Sequence, residues 1–261
     1  MKRRPLIAGN WKMNKTPRET EEFIERLLPL TGAFSGCDIL LIPSHTSLDR
    51  AGRLLASSRV SLGAQDMHFE GSGAYTGATS AGMLTACGCQ FLLVGHSERR
   101  HLFLDSDETV NWKLHASLAD GLRPILCVGE TLDQRRAGRM ESILANQLDC
   151  GLKDVDEAAL TDVVIAYEPV WAIGTGETAT PKQAQEAVAF LRTWIETRFS
   201  KRVSEAMRIL YGGSVKPENA RSLQAQPDID GALIGGAALD PDSFAQIITE
   251  AMSSQGDSDS C

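Results

Sequence analysis

Short, wholly apolar runs recur along this chain at intervals of roughly thirty residues. They are Leu6–Ala8, Ile39–Ile42, Val60–Leu62, Phe91–Val94, Ile125–Val128, Val163–Ala166, Ile209–Tyr211 and Ala232–Ile234. Runs this brief and this continuous suit strands buried on both faces. The segments between them carry helix signals. Pro17–Leu28 has proline in a first turn, Glu19, Glu21 and Glu22 early, and Phe23, Ile24 and Leu27 on one face. Thr180-Pro181 opens another helix, striped by Ala184, Ala187, Val188, Leu191 and Ile195. Asp105–Leu118, Gln134–Leu148, Pro217–Leu223 and Pro241–Ile248 read the same way, and Leu48–Leu55 and Ala81–Ala86 carry a weaker pattern.

Eight strands alternating with eight helices make one α/β domain. A doubly wound open sheet shows the same alternation, so the pattern alone leaves both open. The count of eight, and the polar or glycine-rich stretches that follow many of the strands, favour a closed (β/α)₈ barrel with a site ringed by strand ends. No G-x-G-x-x-G follows the first run, which removes the main support for a dinucleotide-binding sheet. The barrel is expected over residues 1–254, with 255–261 a disordered polar tail.

Composition narrows the function. Of 261 residues, 43% are hydrophobic and 23% charged, ordinary for a globular chain. A net charge of −8 argues against nucleic acid or an anionic membrane as partner, though a small anion needs only a local positive field. Lys2, Arg3 and Arg4 resemble the start of a secretory signal, but Leu6-Ile7-Ala8 is too short an apolar core for one. A cytoplasmic location is therefore expected. Cys37, Cys87, Cys89 and Cys127 lie in or beside apolar runs and read as free thiols; Cys87-Gly88-Cys89 lacks the second pair a metal site needs. Neither a metal nor a cofactor is expected.

Three polar stretches follow buried strands: Asn10-Trp11-Lys12, Gly95 to Arg100, and Tyr167-Glu168-Pro169. In a barrel they converge on one mouth, where Lys12, His96 and Glu168 offer a cation, an electrophile and a base. Each has a plainer reading: a solvated loop for Asn10-Trp11-Lys12, a hydrogen-bonded structural histidine for His96, an exposed carboxylate for Glu168. Glu98 reads as structural, a partner for Lys12 or a nearby arginine. Gly174-Thr175-Gly176, Gly212-Gly213-Ser214 and Gly235-Gly236 follow the late strands, where bare backbone can point amides at an anion.

With these residues in place, the chain resembles the triosephosphate isomerase family from near the first strand to the last helix. The matching stretches are Ala8 to Asn14, Gly63-Ala64-Gln65, Gly95 to Arg100, Cys127 to Glu130, Ala166 to Gly176, Tyr211 to Val215 and Asp230 to Gly236. The resemblance implies a homodimeric glycolytic enzyme acting on a small phosphorylated triose. Glu168 would move a proton between C1 and C2 through an enediolate, His96 would polarise the carbonyl as a neutral imidazole, and Lys12 would meet oxyanion charge. Asn10 would line the pocket, and amides of Gly174, Ser214, Gly235 and Gly236 would hold phosphate. Ile173 and Leu233 resemble the apolar pair that desolvates Glu168, although both also read as core. Cys127 and Tyr211 would support the site. Pro169–Ala179 resembles a closing lid that keeps water from the enediolate.

The chain departs from the family pattern at Ala78 and Asp105, both usually glutamate, at Glu177, commonly lysine, and at Asp66, commonly asparagine. Tyr75 and Thr76 lie in the loop that would reach into a second subunit, where the glutamate usual at 78 would meet Arg99. Ala78 is therefore expected to leave Arg99 short of a carboxylate and the dimer weaker, with Asp105 a partial substitute within the subunit. A four-carbon ketose phosphate isomerase and a catalytically retired phosphate-binding scaffold are the alternative functions.

Overall fold

A computed structural model of the chain describes residues 3–172 and 178–256. Its elements in order are β1 (Leu6–Asn10), α1 (Pro17–Thr31), β2 (Asp38–Ile42), α2 (Leu48–Leu55), β3 (Val60–Ala64), α3 (Ala81–Ala86), β4 (Phe91–Val94), α4 (Ser97–Leu102), α5 (Asp107–Ala119) and β5 (Arg123–Val128). There follow α6 (Leu132–Arg136), α7 (Met140–Gly151), β6 (Val164–Tyr167), α8 (Pro181–Arg198), α9 (Lys201–Ala206), β7 (Arg208–Tyr211), α10 (Pro217–Gln224), β8 (Gly231–Ile234) and α11 (Pro241–Gly256). All eight strands are parallel and pair in chain order. β8 returns to β1 with Leu6 opposite Gly231 and Gly9 opposite Ile234, so the sheet is a closed barrel.

Apart from Asp38, Arg123 and Arg208 at strand starts and Ser61 within β3, the strand residues are buried on both faces, which is why the runs are continuously apolar. Leu6, Ala8, Leu40, Ile42, Leu93, Ile125, Cys127, Ala166 and Leu210 point into the barrel and fill it. Their neighbours Ile7, Leu41, Leu92, Leu126, Ile165 and Ile209 point outward, against the helices. Helices α1 and α8 begin where the sequence says. Thr16 caps α1 in a reciprocal box with Glu19, and Thr180 caps α8 in the same way with Gln183, each followed by proline.

Two expected helices differ. The segment expected as one helix over Asp105–Leu118 is preceded by a separate α4 and starts late, at Asp107. Ser106 caps it, because Leu104 adopts φ +60 and Asp105 turns inward to Arg99 and Lys113. The segment Gln134–Leu148 is two helices, broken beside Gly138, whose φ of +67 no helix accommodates. Helix α9 had no counterpart in the sequence reading. The last helix runs to Gly256, past the boundary expected at 254, and residues 257–261 lie outside those described.

Candidate active site

The carboxyl ends of the strands surround a cavity of about 350 Å³. Asn10, the last residue of β1, is buried, and its Oδ1 accepts the Lys12 amide at 3.0 Å. Lys12 itself has φ +53, a left-handed backbone that a side-chain-bearing residue adopts only under constraint. Gln65, just after β3, donates its Nε2–H to the Lys12 carbonyl at 2.8 Å and approaches the Ile42 carbonyl at 3.2 Å. The Lys12 ammonium points into the mouth and meets Glu98 Oε1 at 2.6 Å, so Glu98 is the lysine's counter-ion.

His96 and Glu168 face each other inside the same cavity, with Nε2 and Oε1 3.0 Å apart and both residues buried. His96 is the N-cap of α4, and its Nδ1 accepts the Glu98 amide at 3.2 Å. A ring nitrogen that accepts an amide hydrogen carries none of its own, which places the single proton of the neutral ring on Nε2, aimed at Glu168. Burial pulls the His96 pKa down, but the adjacent carboxylate outweighs it and the value lies above the ordinary 6.5. Glu168 shifts oppositely. Burial disfavours its charge, yet His96, the Ser97 amide at 2.8 Å and Lys12 together hold its pKa below 4.5. The carboxylate thus rests ionised on two donors at one wall of the pocket.

Across from them the wall is backbone. Gly212, Gly213 and Ser214 follow β7, and Gly235 and Gly236 follow β8. A Cβ at Gly236 would meet nothing within 4 Å, and one at Gly235 would meet the Lys12 side chain at 3.5 Å. Bare peptide therefore faces the lysine, the arrangement an anion needs. Around Glu168 glycine is required for a different reason. A Cβ on Gly129 would run into the Glu168 carbonyl, and one on Gly212 would come within 3.0 Å of Glu168 Cγ.

Leu233 lies in the barrel interior and also lines the cavity. Cys127 is fully buried in the same interior, and burial, with Glu168 nearby, raises its thiol pKa. Tyr211 is buried too, its phenol pushed up to about 12 by burial, and its hydroxyl lies where a Cβ on Gly213 would fall. Ile173 and Gly174, with the rest of 173–177 including Glu177, lie outside the described residues. Tyr75 and Thr76 sit in an exposed loop, Tyr75 stacked on His68 at 3.9 Å between ring centroids.

Arg99 corrects one expectation: it is not short of a carboxylate. Its Nε bonds Asp105 Oδ2 at 2.9 Å, and its Nη2 meets Asp66 Oδ2 at 3.1 Å. Asp66, a departure from the family pattern, supplies the second charge from within the chain. Other working residues carried no role in the sequence reading. Glu130 Oε1 collects the Arg135 guanidinium at 3.0 Å, the Tyr167 hydroxyl at 3.0 Å and the Trp171 indole at 2.9 Å. This ties the residues just after Glu168 to the end of β5. The stretch Cys127–Glu130 stood out in the sequence, but nothing in it named these partners.

A family model described as triosephosphate isomerase matches residues 5–251. The chain belongs to the triosephosphate isomerase family. The triosephosphate isomerase of Solibacter usitatus is 48% identical over 246 residues, covering 94% of this chain and 99% of that protein. That of Geobacter metallireducens is 48% identical over 246 residues, covering 94% and 98%. That of Chlorobium luteolum is 49% identical over 247 residues, with the same two shares. The family match spans every strand of the barrel and each residue that meets in the cavity.

The depressed Glu168 pKa has a consequence for stability. The ionised carboxylate stabilises the fold above the ordinary 4.5, and that contribution is lost as pH falls through the lower folded value. Urea unfolding of wild type should weaken more steeply than that of Glu168→Gln as pH drops below about 4.5. Parallel curves would mean that His96 and Ser97 do not hold the charge.

Proposed function

We propose that this cavity isomerises dihydroxyacetone phosphate and D-glyceraldehyde 3-phosphate, with Glu168 as the base. Family membership makes the chain an intramolecular aldose–ketose isomerase of triose phosphates. The observation that carries the assignment of roles is the 3.0 Å approach of His96 Nε2 to Glu168 Oε1 inside one cavity with Lys12.

The substrate phosphate lies against the peptides of Ser214, Gly235 and Gly236, and Lys12 balances its charge. The carbonyl oxygen then takes the His96 Nε2–H that otherwise points at Glu168. Losing that donor, and leaving the Ser97 amide, makes the carboxylate a stronger base inside a dry pocket. Glu168 removes a proton from the carbon beside the carbonyl, and the electron pair becomes the C1–C2 double bond of an enediolate. His96 and Lys12 stabilise the developing oxyanion. Glu168 returns the proton to the neighbouring carbon while the hydroxyl proton passes from one enediolate oxygen to the other by way of His96 Nε2, so aldose exchanges for ketose with no net gain or loss of atoms. A phosphate-binding scaffold has no use for a base so placed.

A homodimer and a cytoplasmic location complete the proposal. Met13 is 95% exposed beside the catalytic lysine, and Leu102, Phe103 and Leu104 are also open to solvent. A second copy of the chain offers apolar cover for side chains that a monomer leaves wet. Because Arg99 already holds two carboxylates, Ala78 imposes no electrostatic penalty on that interface. Among the described residues, no helix is long and apolar enough to cross a membrane. Sedimentation through a dilution series should report twice the 28.2 kDa chain mass at micromolar concentration, and a monomer throughout would remove the dimer.

For the chemistry, Glu168→Gln should lower kcat by at least the ~10²–10⁴-fold typical of a lost general base, with phosphate affinity nearly unchanged. Inorganic phosphate should compete with substrate, and Gly235→Val should weaken that competition by crowding Lys12. Wild-type turnover in Glu168→Gln, or phosphate that does not compete, would overturn the respective half.

A further inference from the structure

Two side chains hold the Lys12 peptide in its left-handed conformation, one on each of its polar groups. Asn10 takes the N–H and Gln65 supplies a donor to the carbonyl. The Gln65 amide also touches the Ile42 carbonyl, so it joins the ends of β1 and β2 to the residue following β3. A hydrogen bond from a long, rotatable side chain holds a strained peptide only if its own backbone is fixed.

The next residue provides that fixing. Asp66 Oδ1 accepts from Lys113 Nζ at 2.6 Å, Oδ2 meets Arg99 Nη2 at 3.1 Å, and the Asp66 carbonyl meets His45 Nε2 at 2.8 Å. Lys113 is buried on α5 and also bonds Asp105 Oδ2 at 2.8 Å, while Arg99 bonds the same carboxylate. Two carboxylates thus alternate with two cations in a neutral ring that spans α4, α5 and the end of β3. Moving Asp66 outward would leave the buried Lys113 ammonium and Arg99 to share the single carboxylate of Asp105. Met67, buried immediately afterwards, anchors the other side.

The geometry points to Gln65 and Asp66 as one positioning strut for Lys12. Asp66 is locked into the ring, and Gln65, delivered rigidly beside it, keeps the Lys12 backbone at positive φ with its ammonium in the pocket. The inference rests on Lys12 as the substrate's cationic contact. Neither strut residue touches the reacting atoms; both act through Lys12.

The test compares Gln65→Met, which keeps length but cannot donate, with Gln65→Asn, whose amide falls one C–C bond short of the Lys12 carbonyl. Asp66→Ala, Asp66→Asn, the Gln65→Met/Asp66→Ala double variant and Lys12→Ala complete the set. Either Gln65 variant should lower kcat/KM roughly ten- to hundredfold, with KM for glyceraldehyde 3-phosphate and the inhibition constant of inorganic phosphate rising together. Asp66→Ala should move the same constants in the same direction. The double variant should be little worse than the worse single, because both act through one peptide. Asp66→Asn, which still accepts from Lys113, should recover most of the loss. Crippled Lys12→Ala with silent Gln65 variants would overturn the strut alone, as would additive losses in the double variant. An inert Lys12→Ala would overturn the role of Lys12 on which the strut depends. A Gln65→Met or Asp66→Ala chain that does not fold shifts the decision to Gln65→Asn and Asp66→Asn, read by the same constants.

Discussion

The pairing of β8 with β1 determines where every functional side chain can reach. Without it, Asn10 and Lys12 would sit at the edge of an open sheet, far from the glycines after β7 and β8. With Gly9 opposite Ile234, the residues that follow these two strands face one another across a single mouth. Register does the rest. Because inward and outward residues alternate along each short strand, a slip of one residue would turn Leu6 and Ala8 out of the barrel and Ile7 into it. The packed interior therefore holds the site in place from below, and the loops above need to supply only chemistry.

Within that frame two donors hold Glu168 ionised. Glu168 is buried, which alone would make it a strong base, yet it accepts hydrogen bonds from Ser97 and His96 that lower its pKa. A carbonyl oxygen presented to His96 competes for one of those same hydrogens. In the proposed mechanism, substrate entry and the gain in Glu168 basicity are therefore one event. The histidine is prepared in advance, because the start of α4 delivers the Glu98 amide to Nδ1 and leaves Nε2–H as the donor.

How much of this was legible in the sequence depended on whether a residue acts locally. The strands were readable because burial on both faces leaves an unbroken apolar run, and α1 and α8 because their caps and prolines are adjacent in sequence. The break at Gly138 was harder to read, since glycine inside a helical pattern does not declare a positive φ. Lys12, His96 and Glu168 stood out as polar residues at strand ends, and the family resemblance named their roles. The partners of Arg99 could not be read the same way. Asp66 lies thirty-three positions earlier and appeared as a departure from pattern, and only the fold brings it against Arg99 and Lys113. Gln65 stands within a motif, yet no role for it is legible there because its target, the Lys12 carbonyl, is fifty-three residues away.

The central claim is that a proton leaves carbon to Glu168 and returns to the neighbouring carbon. Isomerisation in D₂O, with the product trapped as it forms and examined by NMR, tests this most directly. An ionised carboxyl group that holds the proton between two steps can exchange it with solvent, so the account predicts deuterium on the product carbon that received the proton. Product free of carbon-bound deuterium after many turnovers would indicate that hydrogen passes directly between the carbons, and would contradict the assignment of Glu168 as the base.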